Sequence, residues 1–212
     1  MSVPNYKMVI GLTGPIASGK SLATKAIHAL LEDQEHVRSI LLSDYLREIV
    51  RAEGKALNRD ALRAAGNGLR KENGPGALAE RMIDDLPDLD SGILVVDSIR
   101  NPGEIEMMRD AFGERVVIIA TDADIESRIQ RVLKRGREDD STNIEEIVRH
   151  MEIEMERNPL FGFDLVGCRG KADIVSVGKE SKQERIDEIQ SELRRFMERR
   201  ESREMKEVKR RA

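Results

Sequence analysis

The sequence predicts an α/β fold, a parallel β-sheet with helices on both of its faces. Three observations predict it. Short apolar runs alternate with longer segments of helical periodicity. Two of those runs, ILVV at 93–96 and VVIIA at 116–120, have the fully apolar character of buried strands. A third, MVIGLT at 8–13, leads into a glycine-containing turn and then a helix.

The elements follow in order. Met8–Thr13 is the first strand and Gly19–Leu31 the helix after it. Val37–Leu42 is the second strand, closed by Ser43 and Asp44, whose side chains suit the cap of a helix over 45–52. Residues 54–76 hold Gly54, Gly66, Gly68, Gly74, Pro75 and Gly76 among helical stretches, which predicts short helices hinged together. Helix resumes at Ala77–Leu86, and Ile93–Val96 is a buried strand ending at Asp97. Pro102 and Glu104 open a helix that runs to Phe112. Val116–Ala120 is the fourth strand, helices cover 122–135 and 143–157 around the polar link GREDDSTN, and Asp173–Val177 is the fifth strand. A long helix begins near Lys182; Ile186, Ile189, Leu193, Phe196 and Met197 give it a core-facing stripe. The stripe fades over 198–212, a nearly all-charged helical extension. One domain over 1–197 is expected, with mobile insertions at about 54–76 and 136–143.

Composition narrows the functional classes. Hydrophobic residues make up 39 % of the 212, enough for a core, and a net charge of −4 argues against a chain that coats nucleic acid. Cys168 is the single cysteine, so no disulfide framework or zinc cluster is expected. No stretch approaches the roughly 18 apolar residues of a membrane span, and the N-terminal MSVPNYK has no signal-peptide pattern, which predicts a cytoplasmic protein.

The chemistry is concentrated in GPIASGKS, residues 14–21, which fits G-x-x-x-x-G-K-S/T between a strand and a helix. Gly14 and Gly19 permit backbone angles that turn the loop's N–H groups inward toward the β-phosphate, and the helix adds the positive end of its dipole. Pro15, Ile16, Ala17, Ser18 and Leu22 complete the cradle, Pro15 through its fixed backbone because it has no N–H to give. Lys20 is placed to bridge β- and γ-phosphates, and the Ser21 hydroxyl to bind magnesium. No N-K-x-D follows to select guanine, so ATP is the expected nucleotide.

Asp97 closes a buried strand at the sheet's carboxyl edge and is the expected second oxygen for Mg2+. Arg100, three residues on, suits a bidentate phosphate contact; its alternative is a salt bridge to Glu104. Arg128, Arg131 and Arg135 share a helix face, and Arg131, Arg135 and Arg137 are expected around the γ-phosphate, with GREDD as a lid. Asp44 is placed to orient the acceptor or take its proton and Arg47 to hold its phosphate. Phe161 and Phe163 are expected in the core, with a pocket wall as the alternative; His28, His36 and His150 are expected on the surface or on a helix face with no chemistry, and Cys168 as an inert packing residue.

Together these segments resemble the nucleoside monophosphate kinase and dephospho-coenzyme A kinase group of P-loop kinases, most closely an archaeal adenylate-kinase-related family. GLTGPIASGKS (11–21) is similar to the opening of dephospho-coenzyme A kinases, and VVDSIRNPGE (95–104) to the acceptor loop of deoxynucleoside monophosphate kinases. RVLKRGREDD (131–140) is similar to the archaeal family's lid, and KADIVSVG (171–178) to the group's final strand and turn. The resemblance implies a three-layer P-loop NTPase fold, a five-stranded sheet in the order 2-3-1-4-5, and ATP with Mg2+. It implies acceptor roles for Asp44, Arg47 and Arg100 and ATP-side roles for Arg131, Arg135 and Arg137. DSIRNP replaces the aspartate–glycine–phenylalanine–proline–arginine loop of adenylate kinases, so their AMP site does not transfer.

The expected function is transfer of the ATP γ-phosphate to a nucleoside monophosphate or similar small phosphorylated acceptor. Two alternatives stand beside it: dephospho-coenzyme A as the acceptor, and a nucleotide-responsive regulatory protein with weak ATPase activity.

Overall fold

The computed structural model describes residues 5–33, 35–87, 92–178 and 181–211; residues 1–4 of the N-terminal segment and Ala212 of the extension lie outside them. Strands β1 (Met8–Thr13), β2 (Val37–Leu41), β3 (Ile93–Ile99), β4 (Val116–Asp122) and β5 (Ile174–Val177) form one sheet in the order β2-β3-β1-β4-β5. Every neighbouring pair is parallel.

The strands alternate between two apolar cores because successive side chains leave opposite faces. Met8, Ile10, Leu12, Ile93, Val95, Val117 and Ile119 face α1 (Lys20–Leu31) and α9 (Lys182–Arg211). Val9, Leu94, Val96, Val116 and Ile118 face the opposite layer. That layer comprises α2 (Leu42–Ala52), α3 (Arg59–Asn73), α4 (Ala77–Asp84), α5 (Pro102–Phe112) and α8 (Leu165–Gly170), which supply Leu46, Leu62, Leu78, Ile105 and Cys168. A smaller cluster joins Ile16 to Val132 on α6 (Ile125–Arg135) and to Ile147 and Met151 on α7 (Ile144–Met155). The expected stripe of α9 holds, with Ile189 and Leu193 fully buried. The short helix α8 is an element the sequence reading leaves out.

Two local expectations are corrected. Ser43 and Asp44 do not cap α2; its N-cap is Leu41, and both residues sit inside the first turn. Residues 54–76 are not hinged short helices. Gly54 and Gly74 have φ of 67° and 95° and bracket one continuous 15-residue helix, α3. Gly66, inside it, is a spacer: a Cβ there would stand 3.2 Å from Arg70 Nη1 and 3.3 Å from Leu46 Cδ1, so its absence lets α3 lie against α2.

Candidate functional site

The strand order brings the loop after β1 beside the end of β3. Their parallel register slips near that end: Gly11 pairs with Val96 but Thr13 with Ile99, so β3 carries one extra residue. Ser98 absorbs it at φ 72°, a left-handed conformation rare outside glycine. Asp97 and Ser98, at this bulge, line a cavity of ≈ 450 Å³ together with Ile16, Ala17, Gly19, Lys20 and Ser21.

Within the loop, Gly14 and Gly19 have φ of 134° and 112°, as expected of the two glycines. The carbonyls carry the cations. Lys20 Nζ donates to Gly14 O at 2.7 Å and Pro15 O at 2.9 Å, Arg128 Nε to Ile16 O at 2.8 Å, and Arg131 Nη1 to Ala17 O at 3.0 Å. The N–H groups of Lys20 and Ser21 begin α1 and have no intrahelical acceptor. Ser18 Oγ shares a 2.7 Å hydrogen bond with Thr121 Oγ1 beneath the loop, and Leu22 N–H is already given to Gly19 O. Behind Gly19 lies the buried Arg185, which donates to the carbonyls of Asp122 and Ser176 at 3.0 Å each and braces the ends of β4 and β5.

Ten lysines and arginines line the cavity against four aspartates and glutamates, in a chain whose net charge is −4. Such a concentration of one sign is stable only if acids or a bound anion answer it. The link after α6 supplies part of the answer. Asp140 takes a bidentate contact from Arg135 at 2.7 and 2.9 Å and a further bond from Arg59. Burial opposes its charge, but those guanidiniums prevail and hold the carboxyl at about 2. Asp139 meets Arg47 at 3.3 Å and Arg59 at 3.6 Å. Residues 139 and 140 therefore tie α6 to α2 and α3 across the cavity mouth. Arg137 stays uncomfortable as a cation, because burial and the neighbouring Arg135 both push its pKa down.

Burial and Arg100 similarly depress Lys20, with a smaller contribution from Arg135; Asp97 and Glu154 offset only part of it, and the ammonium is left at about 7. Arg100 does not pair its side chain with Glu104. Its guanidinium pairs with Glu154 on α7, while its backbone N–H donates to Glu104 Oε2 at 2.7 Å. Arg47 lines the cavity; Asp44 does not. Asp44 is 59 % exposed and accepts from Arg47 at 2.8 Å, which holds that arginine from its solvent side.

The profile of the AAA domain family matches residues 10–158 of the chain. A UPF0200 protein of Methanosarcina mazei is 34 % identical over 147 residues, which cover 69 % of this chain and 76 % of that one. The chain belongs to the UPF0200 family. The expected membership in an archaeal P-loop family thus holds. Among solved structures, a gluconokinase from Sinorhizobium meliloti superposes with a TM-score of 0.56 at 16 % identity, covering 93 % of this chain and 97 % of that one. The shikimate kinase of Acinetobacter baumannii gives 0.52 at 14 %, covering 91 % and 94 %. At these identities the likeness is one of fold: this UPF0200 chain has a P-loop kinase-like architecture.

Several wall residues of this family member escape sequence reading. Arg70 and Glu104 form a fully buried pair at 2.6 Å, linking α3 to the start of α5. Glu104 also accepts from Arg100 N–H and Asn101 N–H, so one carboxylate fixes the turn that carries Arg100. Phe163 is not core: it lines the cavity between Arg70 and Arg100, whose guanidinium carbons lie 6.0 and 5.4 Å from its ring centre. Phe161 is at the surface. His150, expected at the surface or on a helix face, lies on α7 and is 8 % exposed on the cavity wall, with Nδ1 buried and unpartnered. Cys168 packs in the core as expected, its thiol pushed up to about 12 by burial. Signals for Arg70 and for Glu154, the partner of Arg100, existed in the sequence: Arg70 continues the buried Leu62–Gly66 stripe of α3, and Glu154 the Ile147–Met151 stripe of α7. A charge on an apolar stripe marks a buried, paired group.

Proposed function

We propose that the chain is a cytoplasmic ATP-dependent kinase that passes the γ-phosphate to a nucleoside monophosphate or a similar small phosphorylated acceptor. One observation carries the reading: two groups of cations meet in a single cavity at the loop. Lys20 at the start of α1 and Arg131 and Arg135 of α6 line it together with Arg47, Arg59, Arg63 and Arg100 from α2, α3 and the β3–α5 turn; the first group is read as facing the nucleotide and the second the acceptor. Two anionic substrates facing each other need this, because their mutual repulsion opposes the encounter.

In this reading Pro15–Leu22 cradle the triphosphate, with Lys20 between β and γ. Arg131, Arg135 and Arg137 neutralise charge on the transferring group, whose transition state is loose and stabilised mainly by position and charge. Arg47 and Arg100 hold the acceptor phosphate. A phosphate oxygen arrives already ionised, so the position of Asp44 outside the cavity wall suits a phosphorylated acceptor. Asp44 then orients Arg47. The acceptor insertion is 54–76 and the lid 136–143, closed through Asp139 and Asp140.

The residues present fit magnesium. Ser21 and Asp97 offer two hard oxygen donors on one wall, and among the described residues no group of three or more acids, histidines or cysteines forms a metal cage. Mg2+ commonly takes one or two protein oxygens and completes its shell with phosphates and water. When bound it would supply charge neutralisation at the phosphate oxygens.

A coupled ADP-release assay over all ribo- and deoxynucleoside monophosphates and dephospho-coenzyme A tests the proposal. Acceptor-dependent ADP with at least one phosphorylated acceptor is expected. ADP release that ignores every acceptor would overturn it in favour of a nucleotide-responsive regulator.

Lys20 gives the binding step a pH dependence. The free chain holds the Lys20 proton only up to about pH 7, and a bound polyphosphate raises that pKa. ATP affinity is therefore expected to fall by up to about tenfold per pH unit above 7, with proton uptake on binding. Calorimetry at pH 8 in buffers of different ionisation enthalpy measures the uptake; its absence would remove Lys20 from the contact.

A further inference from the structure

The phosphate loop already holds an anion, and that anion belongs to the chain. Glu154, 3 % exposed near the end of α7, accepts the Ile16 N–H through Oε2 at 2.7 Å and pairs with Arg100 through Oε1. Arg128 Nη2 stands 3.6 Å from Oε2 and makes no hydrogen bond, though it is buried. One loop amide and two guanidiniums thus converge on a carboxylate in the cavity wall. Amides and arginines converging in this way are the usual equipment of a phosphate site. The fit is incomplete: the carboxylate meets the Ile16 N–H and Arg100 but leaves Arg128 Nη2 beyond hydrogen-bond reach, and a terminal phosphoryl group would bring a third oxygen to these donors.

The position along the loop says which phosphate is concerned. The amides of Lys20 and Ser21, at the helix N-terminus, suit the inner phosphates, whereas Ile16 follows the Gly14 and Pro15 carbonyls that hold Lys20 Nζ, the ammonium read above as lying between β and γ. An anion at Ile16 and Arg100 is therefore at the outer end of a bound chain of phosphates, on the side facing the acceptor.

We propose that Glu154 holds the place of the nucleotide's terminal phosphate in the resting chain and sets the loop's preference between nucleoside triphosphate and diphosphate. The inference rests on the nucleotide-binding reading above. A triphosphate must evict the carboxylate to reach the Ile16 N–H, which also frees Arg100 for the acceptor phosphate, while a diphosphate leaves it seated. Two anions cannot share those donors at contact distance, so the wild-type loop binds ATP less tightly, relative to ADP, than its donors alone would allow. Eviction also frees the last turn of α7 from the loop, so arrival of the γ-phosphate is felt on that helix.

The test uses calorimetry of the full chain with Mg2+ and either ADP or β,γ-methylene-ATP, an analogue that needs no catalysis. Glu154→Gln keeps an acceptor for the Ile16 N–H and removes the charge. The triphosphate-to-diphosphate affinity ratio is expected to rise at least tenfold in E154Q. An unchanged or lower ratio, with both nucleotides still bound, would overturn the proposal while leaving the kinase reading intact; no nucleotide binding by the wild type would sink both. Hydrogen exchange on the unaltered chain gives a second answer should the variant fold poorly. The triphosphate analogue, and not ADP, should speed exchange over residues 150–156; equal protection by both ligands would count against eviction.

Discussion

Lys20→Met is expected to cut turnover about 10³-fold and, at pH 7, to make the chain more stable. The loss follows from removing the ammonium that the loop's own Gly14 and Pro15 carbonyls hold in place, since a single preorganised charge at a transition state is worth about 10² to 10³. The gain follows from burial. The ammonium ordinarily titrates at 10.5 and here at about 7. Between those values the unfolded chain binds a proton that the folded chain releases, so stability rises with pH across that window. Below pH 7 both states hold the proton and the penalty of the buried charge is complete. Each pKa unit is about 1.4 kcal/mol, so the penalty is on the order of a few kcal/mol, offset in part by the bonds to Gly14 O and Pro15 O. Methionine keeps the stem and drops the charge. Its advantage in melting temperature should be several degrees at pH 7 and shrink toward pH 10. A constant advantage would show that burial of charge is not its cause, and retained turnover would remove Lys20 from the chemistry.

Glu104→Ala is expected to have the largest effect on stability. It strands Arg70, fully buried, without its counter-ion, and takes the acceptor from two backbone N–H groups at once. Breaking one partner of a buried ion pair costs about 3–5 kcal/mol. In a chain of this size that lowers the melting temperature by roughly 6–20 °C. The double replacement Arg70→Met with Glu104→Leu removes both charges and should recover much of that loss, since a hydrophobic pair is a fair substitute for a buried ionic one. It should not recover activity, because the Arg100 and Asn101 amides still lack their acceptor and Phe163 loses Arg70 from one face. Full activity in the double variant would mean that this network does not position Arg100.

What sequence alone conveyed was whatever is encoded locally. The strands came through because an uninterrupted apolar run has few other uses, and the phosphate loop because glycine, lysine and serine at fixed spacing serve a backbone geometry. The start of α5 was equally plain: Pro102 at its first position and the Asn101–Glu104 capping box are neighbours in sequence. The rest depended on contacts between distant residues. Glu154 meets Ile16 across 138 positions and Arg70 meets Glu104 across 34, and no pattern announces such partners. Gly66 misled because a glycine that makes room for a neighbouring helix looks, in the sequence, like one that bends its own. His150 misled because a polar residue on a helix face reads as solvated until the opposing wall is known.

The cation-lined cavity has a consequence for encounter rates. A recess with a positive surplus inside an otherwise anionic body focuses field lines toward its mouth, so anionic ligands are drawn in from about a Debye length away, roughly 8 Å at physiological salt. Capture should then be fast in dilute buffer and slow steeply as added salt shortens that reach, while departure of products, governed by contacts already made, changes less.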